Sequence, residues 1–176
     1  MKIFLTACHG NLFLNDVIAP HIVGELSRLL GKDGHDVSIF INTTPRSLGD
    51  MNRPSTRGTP WRRNLEYQIK LYQPDFLIDI HGYPDCTDSP LHGHDIVVLN
   101  SYPKLQKDLP EIYYNLLLQD PTLKVGLQNA SLENDIVKRS YELGTPAVLV
   151  EHNESGPVGR YALAHVRAIN NLHLHF

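Results

Sequence analysis

The 176-residue sequence has only two cysteines, Cys8 and Cys86, too few for a disulfide framework. Cys8 closes an apolar run and reads as a small core residue. No apolar run approaches the length of a bilayer span, so no membrane partner is expected. Lys and Arg number 16 against 19 Asp and Glu, a formal net charge of −3, and no basic run occurs. Non-specific nucleic-acid binding is therefore not expected. No Gly-x-Ser-x-Gly elbow is present, which ranks a serine-nucleophile α/β hydrolase low. There is no internal repeat, low-complexity segment or compositional break, so residues 1–176 are expected to form one domain. Leu5-Thr6-Ala7-Cys8 has the form of a lipoprotein processing box. The apolar stretch before it is too short for a signal sequence, and the expectation is an unprocessed cytoplasmic chain.

What is present is a set of short strands that end in residues able to do chemistry. Phe76-Leu77-Ile78-Asp79-Ile80 reads as a strand buried on both faces, and it runs into His81-Gly82. Residues 2–8 run into His9-Gly10, and residues 146–150 run into Glu151-His152. Further strands are expected at 37–41 and 96–99. Helical spacing and capping place helices from Asn15 or Asp16 to Gly31, over 61–72, within 104–119, from Ser131 to Leu143, and from Pro157 to about residue 170. Strands alternating with helices predict a three-layer α/β/α domain with a mostly parallel or mixed sheet.

In an open α/β sheet, ligands sit past the carboxyl ends of the strands. His9, His81 and Glu151 then share one edge, which reads as the centre of a metal-dependent hydrolase. Asp79 lies on the face of His81 and can buttress its imidazole, or simply cap the sheet edge. A single strand-end histidine more often bonds a loop carbonyl; it is the set of three that points to a site. The irregular stretch from Asn42 to Pro60 is long enough to expect a function, and it carries Arg46, Asp50, Asn52, Arg53 and Arg57. His152 faces away from Glu151 and is left out of the site. His92 and His94 have metal-compatible spacing, but they precede a strand, at its amino end, and are read as loop residues.

The order His9-Gly10-Asn11, Asp50-Met51-Asn52-Arg53, Asp79-Ile80-His81 and Val150-Glu151 resembles the zinc carboxypeptidase-like superfamily. The nearest branch is that of succinylglutamate desuccinylase and aspartoacylase, with its His-Gly-Asn-Glu, Asp-Leu-Asn-Arg and Asp-x-His motifs and a late Glu after an apolar strand. The resemblance implies a zinc-carboxypeptidase-like (phosphorylase/hydrolase-like) fold and one Zn2+ per chain. It implies His9 and His81 as metal ligands, Glu151 as catalytic base, and Asn52 and Arg53 as the grip on a substrate carboxylate. Arg46 would stabilise the oxyanion, as an upstream arginine does in carboxypeptidases. One position departs: the family's second ligand, a Glu, is replaced by Leu12. The next helix is expected to begin at Asn15-Asp16, which makes Asp16 a substitute ligand or else only an N-cap. Desuccinylase-type relatives carry a further C-terminal β domain, for which the residues after Glu151 leave no room. An N-formylglutamate-amidohydrolase-like or small peptide-hydrolase role is equally open.

The residue types suit that chemistry. Two imidazoles and a carboxylate leave one tetrahedral zinc position open to water. Zinc makes that water acidic and polarises a carbonyl. A base must take the proton and return it to the leaving amine, and burial at a strand end suits a carboxylate such as Glu151 to this by raising its pKa. Arg53 can grip a carboxylate through two parallel hydrogen bonds. The expected function is hydrolysis of an amide or peptide bond next to a carboxylate in a small substrate or peptide. The alternative is a metal-free or weakly metal-binding, non-catalytic ligand-binding domain on the same fold.

Overall fold

A computed structural model describes residues 1–9, 17–43, 50–84, 86–101, 108–130 and 134–173. Its strands are β1 (Lys2–Ala7), β2 (Asp36–Ile41), β3 (Phe76–Tyr83), β4 (Ile96–Asn100), β5 (Val125–Asn129) and β6 (Ala147–Asn153). Its helices are α1 (Ile18–Lys32), α2 (Pro60–Tyr72), α3 (Leu109–Leu117), α4 (Asp135–Glu142) and α5 (Val158–Asn170), with a 3-10 turn at Pro54–Thr56. The strands form one sheet in the order β2-β1-β3-β6-β4-β5. All neighbours are parallel except β4 and β6, which are antiparallel, so the sheet is mixed.

The period of two along each strand sorts the core into two layers. Ile3, Leu5, Ile78, Ile80, Val148 and Val150 face α1, α3 and α5, where Ile22, Leu26, Tyr113, Leu117, Tyr161 and Ile169 meet them. Phe4, Leu77, Ala147 and Leu149 face α2 and α4, where Leu65, Ile69, Ile136 and Val137 meet them. Each fully buried aliphatic side chain contributes roughly 2 kcal/mol of transfer free energy. The fold is thus the three-layer α/β/α arrangement that the alternation of elements implies. Among the described residues, no helix is long and apolar enough to cross a membrane.

Three details depart from expectation. Val125–Asn129 is an edge strand that lacks any run of large apolar residues. Its Gly126 leaves room for the His94 ring, which a Cβ there would meet at 2.8 Å. Helix α4 begins at Asp135, capped by the Asn134 side chain, which accepts from the Val137 N–H at 2.9 Å. Ser131, expected to cap that helix, lies outside the described residues. Finally, β4 runs against its neighbour β6, so its amino end lies beside the carboxyl ends of β3 and β6: Ile96 pairs with His152.

Candidate metal centre

Register builds the site in rows on the face that carries α2 and α4. Thr6 is paired with Asp79, Asp79 with Leu149, and Leu149 with Leu99. One row further on, His81 is paired with Glu151, and Glu151 with Val97. Residues paired in this way project to the same side of the sheet. Cys8, two residues beyond Thr6, meets the same row, with its Sγ 3.2 Å from His81 Nε2. The face therefore changes from apolar (Phe4, Leu77, Ala147) to polar toward its carboxyl edge.

His81 is held from several sides. Its Nε2 lies 3.1 Å from Asp79 Oδ2 and 3.0 Å from Asn52 Nδ2. Asp79 is fully buried and also accepts from the Thr6 hydroxyl and, at 2.8 Å, from Asn134 Nδ2. Burial pushes the Asp79 carboxyl up, but His81 and the Thr6 and Asn134 donors outweigh it and hold it below the usual carboxylate range. Asp79 is therefore an anion that orients the imidazole. Donation of Nε2–H to Asp79 fixes one tautomer of His81.

His9 is only 3% exposed, yet neither ring nitrogen makes a hydrogen bond among the described residues. Its Nε2 stands 3.1 Å from Asp50 Oδ1, an ion-pair contact. Nδ1 has no such contact among the described residues, and a buried nitrogen left so is costly unless something else occupies it. Its ring packs edge-on against His81, with centroids 5.3 Å apart. Ligand atoms of Cys8, His9 and His81 all lie within 4.8 Å of one another, close enough for one metal ion to reach all three. The orphaned His9 Nδ1 and this convergence fit a metal. A thiolate and two imidazoles also suit zinc's preference for sulfur and nitrogen donors.

Asp50, Asn52 and Arg53 lie at the same edge. Asp50 Oδ1 accepts from the Asn52 N–H at 3.0 Å, and Arg53 Nε donates to Asp50 Oδ2 at 3.1 Å. Asp50 thus touches both His9 and Arg53. Residues 51 and 52 are anchored by α4 and α2: the Asp135 N–H donates to Asn52 O at 2.9 Å, and Arg62 on α2 donates to Met51 O at 2.7 Å. Asp135 itself is fully buried and takes Arg57 through two nitrogens and Arg62 through one. Burial raises its carboxyl, and the two guanidinium groups more than reverse this.

The structure thus brings together His9, His81, Asn52, Arg53 and, by register, Glu151. Asp16 and Arg46 lie outside the described residues, as does Leu12. Sequence reasoning gave no part to Cys8, Asp50 or Asn134. Strand parity puts Cys8 on the face of Thr6, and so beside His81; that was the signal for it. Asp50 stood in the quoted motif, while Asn134 reaches Asp79 across a sequence separation that leaves no local trace.

No family model matches the sequence, and no curated protein is detectably similar to it. Solved structures are. The chain shares its fold with amidases and a carboxypeptidase. The N-acetylmuramoyl-L-alanine amidase AmiC2 of Nostoc punctiforme aligns with a TM-score of 0.64 at 16% identity, over 97% of this chain and 95% of that one. The N-formylglutamate amidohydrolase of Ralstonia eutropha JMP134 gives 0.60 at 12% identity, over 96% and 93%. The mDAP-bound form of Helicobacter pylori Csd4, a D,L-carboxypeptidase, gives 0.58 at 13% identity, over 96% of this chain and 49% of that one.

Proposed function

We propose that the chain is a zinc-dependent hydrolase that cleaves an amide or peptide bond next to a carboxylate in a small substrate or peptide. The observation that carries this reading is His9: a buried imidazole whose Nδ1 has no partner among the described residues, converging with Cys8 and His81. Cys8, His9 and His81 would hold the ion. When bound, zinc supplies an acidified water and a polarised substrate carbonyl. Asp79, backed by Thr6 and Asn134, keeps His81 in one tautomer and one orientation. Glu151, paired with His81 in the sheet, would take a proton from the attacking water and pass it to the leaving amine. Arg53, partly exposed beside Asp50, grips the substrate carboxylate with support from Asn52. The fold shared with two amidohydrolases and a carboxypeptidase agrees with this reaction class.

The test is elemental analysis of the purified chain, with His81→Ala, His9→Ala and Cys8→Ser beside it. It is followed by a hydrolysis screen of N-acyl amino acids, N-formylglutamate and muramoyl peptides, with Glu151→Gln as control. One zinc per chain, lost in the variants, with a turnover that Glu151→Gln abolishes, is the expected result. A chain that retains no zinc after loading and washing overturns the reading and favours the non-catalytic binding domain.

A further inference from the structure

Behind the sheet, on the face opposite the candidate centre, three fully buried polar side chains form a line: Tyr113 on α3, His165 on α5 and His152 on β6. Tyr113 Oη is 2.7 Å from His165 Nδ1, His165 Nε2 is 2.7 Å from His152 Nε2, and His152 Nδ1 is 3.0 Å from the carbonyl oxygen of His81. The last link fixes the protons of all the others. A carbonyl oxygen only accepts, so His152 carries its proton on Nδ1. The two Nε2 atoms, 2.7 Å apart between fully buried rings, need one donor and one acceptor between them. The bare His152 Nε2 then accepts from His165 Nε2–H, and the bare His165 Nδ1 accepts from Tyr113 O–H. Burial raises the Tyr113 phenol and keeps it protonated. Every link has one donor and one acceptor, and only one arrangement of protons satisfies the chain.

We propose that Tyr113, His165 and His152 are positioning residues: a one-directional hydrogen-bond relay that fixes the His81 peptide group from behind the sheet and so sets the geometry of the metal-binding imidazole. The inference rests on His81 being a metal ligand. Asp79 orients the His81 ring from the front, and the relay holds its backbone from the rear. The relay also ties two back-layer helices to the strand that carries the ligand, so a change in their packing reaches the centre through hydrogen bonds rather than through apolar contacts, which deform more easily.

The experiment compares His152→Asn, His152→Gln and Tyr113→Phe with wild type. Asn places an amide N–H where Nδ1 stands and keeps the donation to His81; Gln extends past that point and loses it. With Co2+ as the probe, His152→Asn is expected to bind as wild type does. His152→Gln is expected to bind about tenfold more weakly, as for other residues that orient a metal-binding histidine, with a shifted visible absorption band. Nitrogen-15 spectra of the metal-free protein should show His152 protonated at Nδ1 and His165 at Nε2, and Tyr113→Phe should leave the His165 tautomer unchanged, because the His81 carbonyl sets it through His152. Urea midpoints confirm that each variant is folded. A folded His152→Gln with wild-type Co2+ affinity and spectrum, or a His152 protonated at Nε2, overturns the relay. If wild type takes no Co2+, the hydrolase reading fails, and the relay is judged on the metal-free spectra. There the His81 ring signals must move in His152→Gln and stay in place in His152→Asn; equal behaviour of the two overturns it.

Discussion

Asp135 receives two arginines, and burial makes them unequal. The Arg62 side chain is 0% exposed, with one nitrogen 2.8 Å from Asp135 Oδ2, whereas the Arg57 side chain on the same carboxylate is 40% exposed. Arg62 Nε makes no hydrogen bond among the described residues, and Glu66 stands 4.0 Å from its nearest nitrogen. Removing the Asp135 charge therefore leaves a buried cation without a close counter-charge, which costs about 3 kcal/mol. With a urea slope of about 2 kcal/mol per molar, Asp135→Asn should lower the unfolding midpoint by about 1.5 M. Arg57→Met should cost about 1 kcal/mol or less, because water screens the exposed pair. Arg62→Met combined with Asp135→Asn should cost less than the sum of the two, with a coupling of about 2 kcal/mol. Equal losses from Arg57→Met and Arg62→Met, or an Asp135→Asn midpoint within about 0.3 M of wild type on the same slope, would refute the reasoning.

Acid should weaken the fold from pH 6.5 downward. The unfolded chain takes up a proton at His152 near its ordinary value of 6.5, and the folded chain refuses it until about 4. Stability is thus complete above that window and falls as pH drops through it, by about 2 kcal/mol between pH 7 and 5 from His152 alone. His165, lowered by burial and by His152, acts in the same direction; Asp79 and Asp135, held below their ordinary 3.8, add to the loss only at lower pH. Urea midpoints at pH 7 and pH 5 that coincide would contradict this. Gly156→Ala should destabilise by about 3 kcal/mol, the upper end for overpacking, because its Cβ would stand 1.7 Å from the hydroxyl of the fully buried Tyr161; a thermal midpoint unchanged from wild type would show that Tyr161 can move. Asn134→Ala removes both the cap of α4 and a donor to buried Asp79, so it should cost about 2 kcal/mol, more than the ~1 kcal/mol of a cap alone, in the same urea assay.

The central strands were legible because burial on both faces leaves only one kind of residue to use. Phe76 to Ile80 is apolar save for Asp79, and that exception is itself the support of His81. The strand ends were not legible: β3 and β6 run on to Tyr83 and Asn153, so His81 and Glu151 are paired residues within their strands rather than the first residues past them. Cys8 is the small core residue that its sequence suggests, packed in the layer of Phe4 and Leu77, but its second contact, to His81, left no local trace. Nothing local separates a packed thiol from one that lies 3.2 Å from an imidazole nitrogen; only the register of β1 against β3 does. Asn134 and Asp135 read as ordinary first-turn helix residues, yet one steadies Asp79 and the other the Asn52 loop. Their second partners lie across sequence separations of 55 residues for Asn134 with Asp79, and 73 for Asp135 with Arg62.

The direction of β4 was lost for a different reason. A period of two is the same read forward or backward, so Ile96 to Leu99 specifies a strand without specifying which way it runs. The missing information lay in the connection. A strand that returns parallel needs a crossover, usually a helix, to carry the chain back to the starting edge. Among the described residues between Tyr83 and Ile96 there is no helix, so the chain leaves β3 and enters β4 from the same edge. β5 follows α3 and runs parallel to β4, as a helical crossover requires. The consequence reaches the candidate centre. The segment before β4, set aside because it precedes a strand, lies at the edge that carries His81 and Glu151, where the Tyr83 hydroxyl and Asn153 Nδ2 both donate to the carbonyl of His94. One wall of the edge is thus built by residues whose place follows from the absence of a helix rather than from any motif.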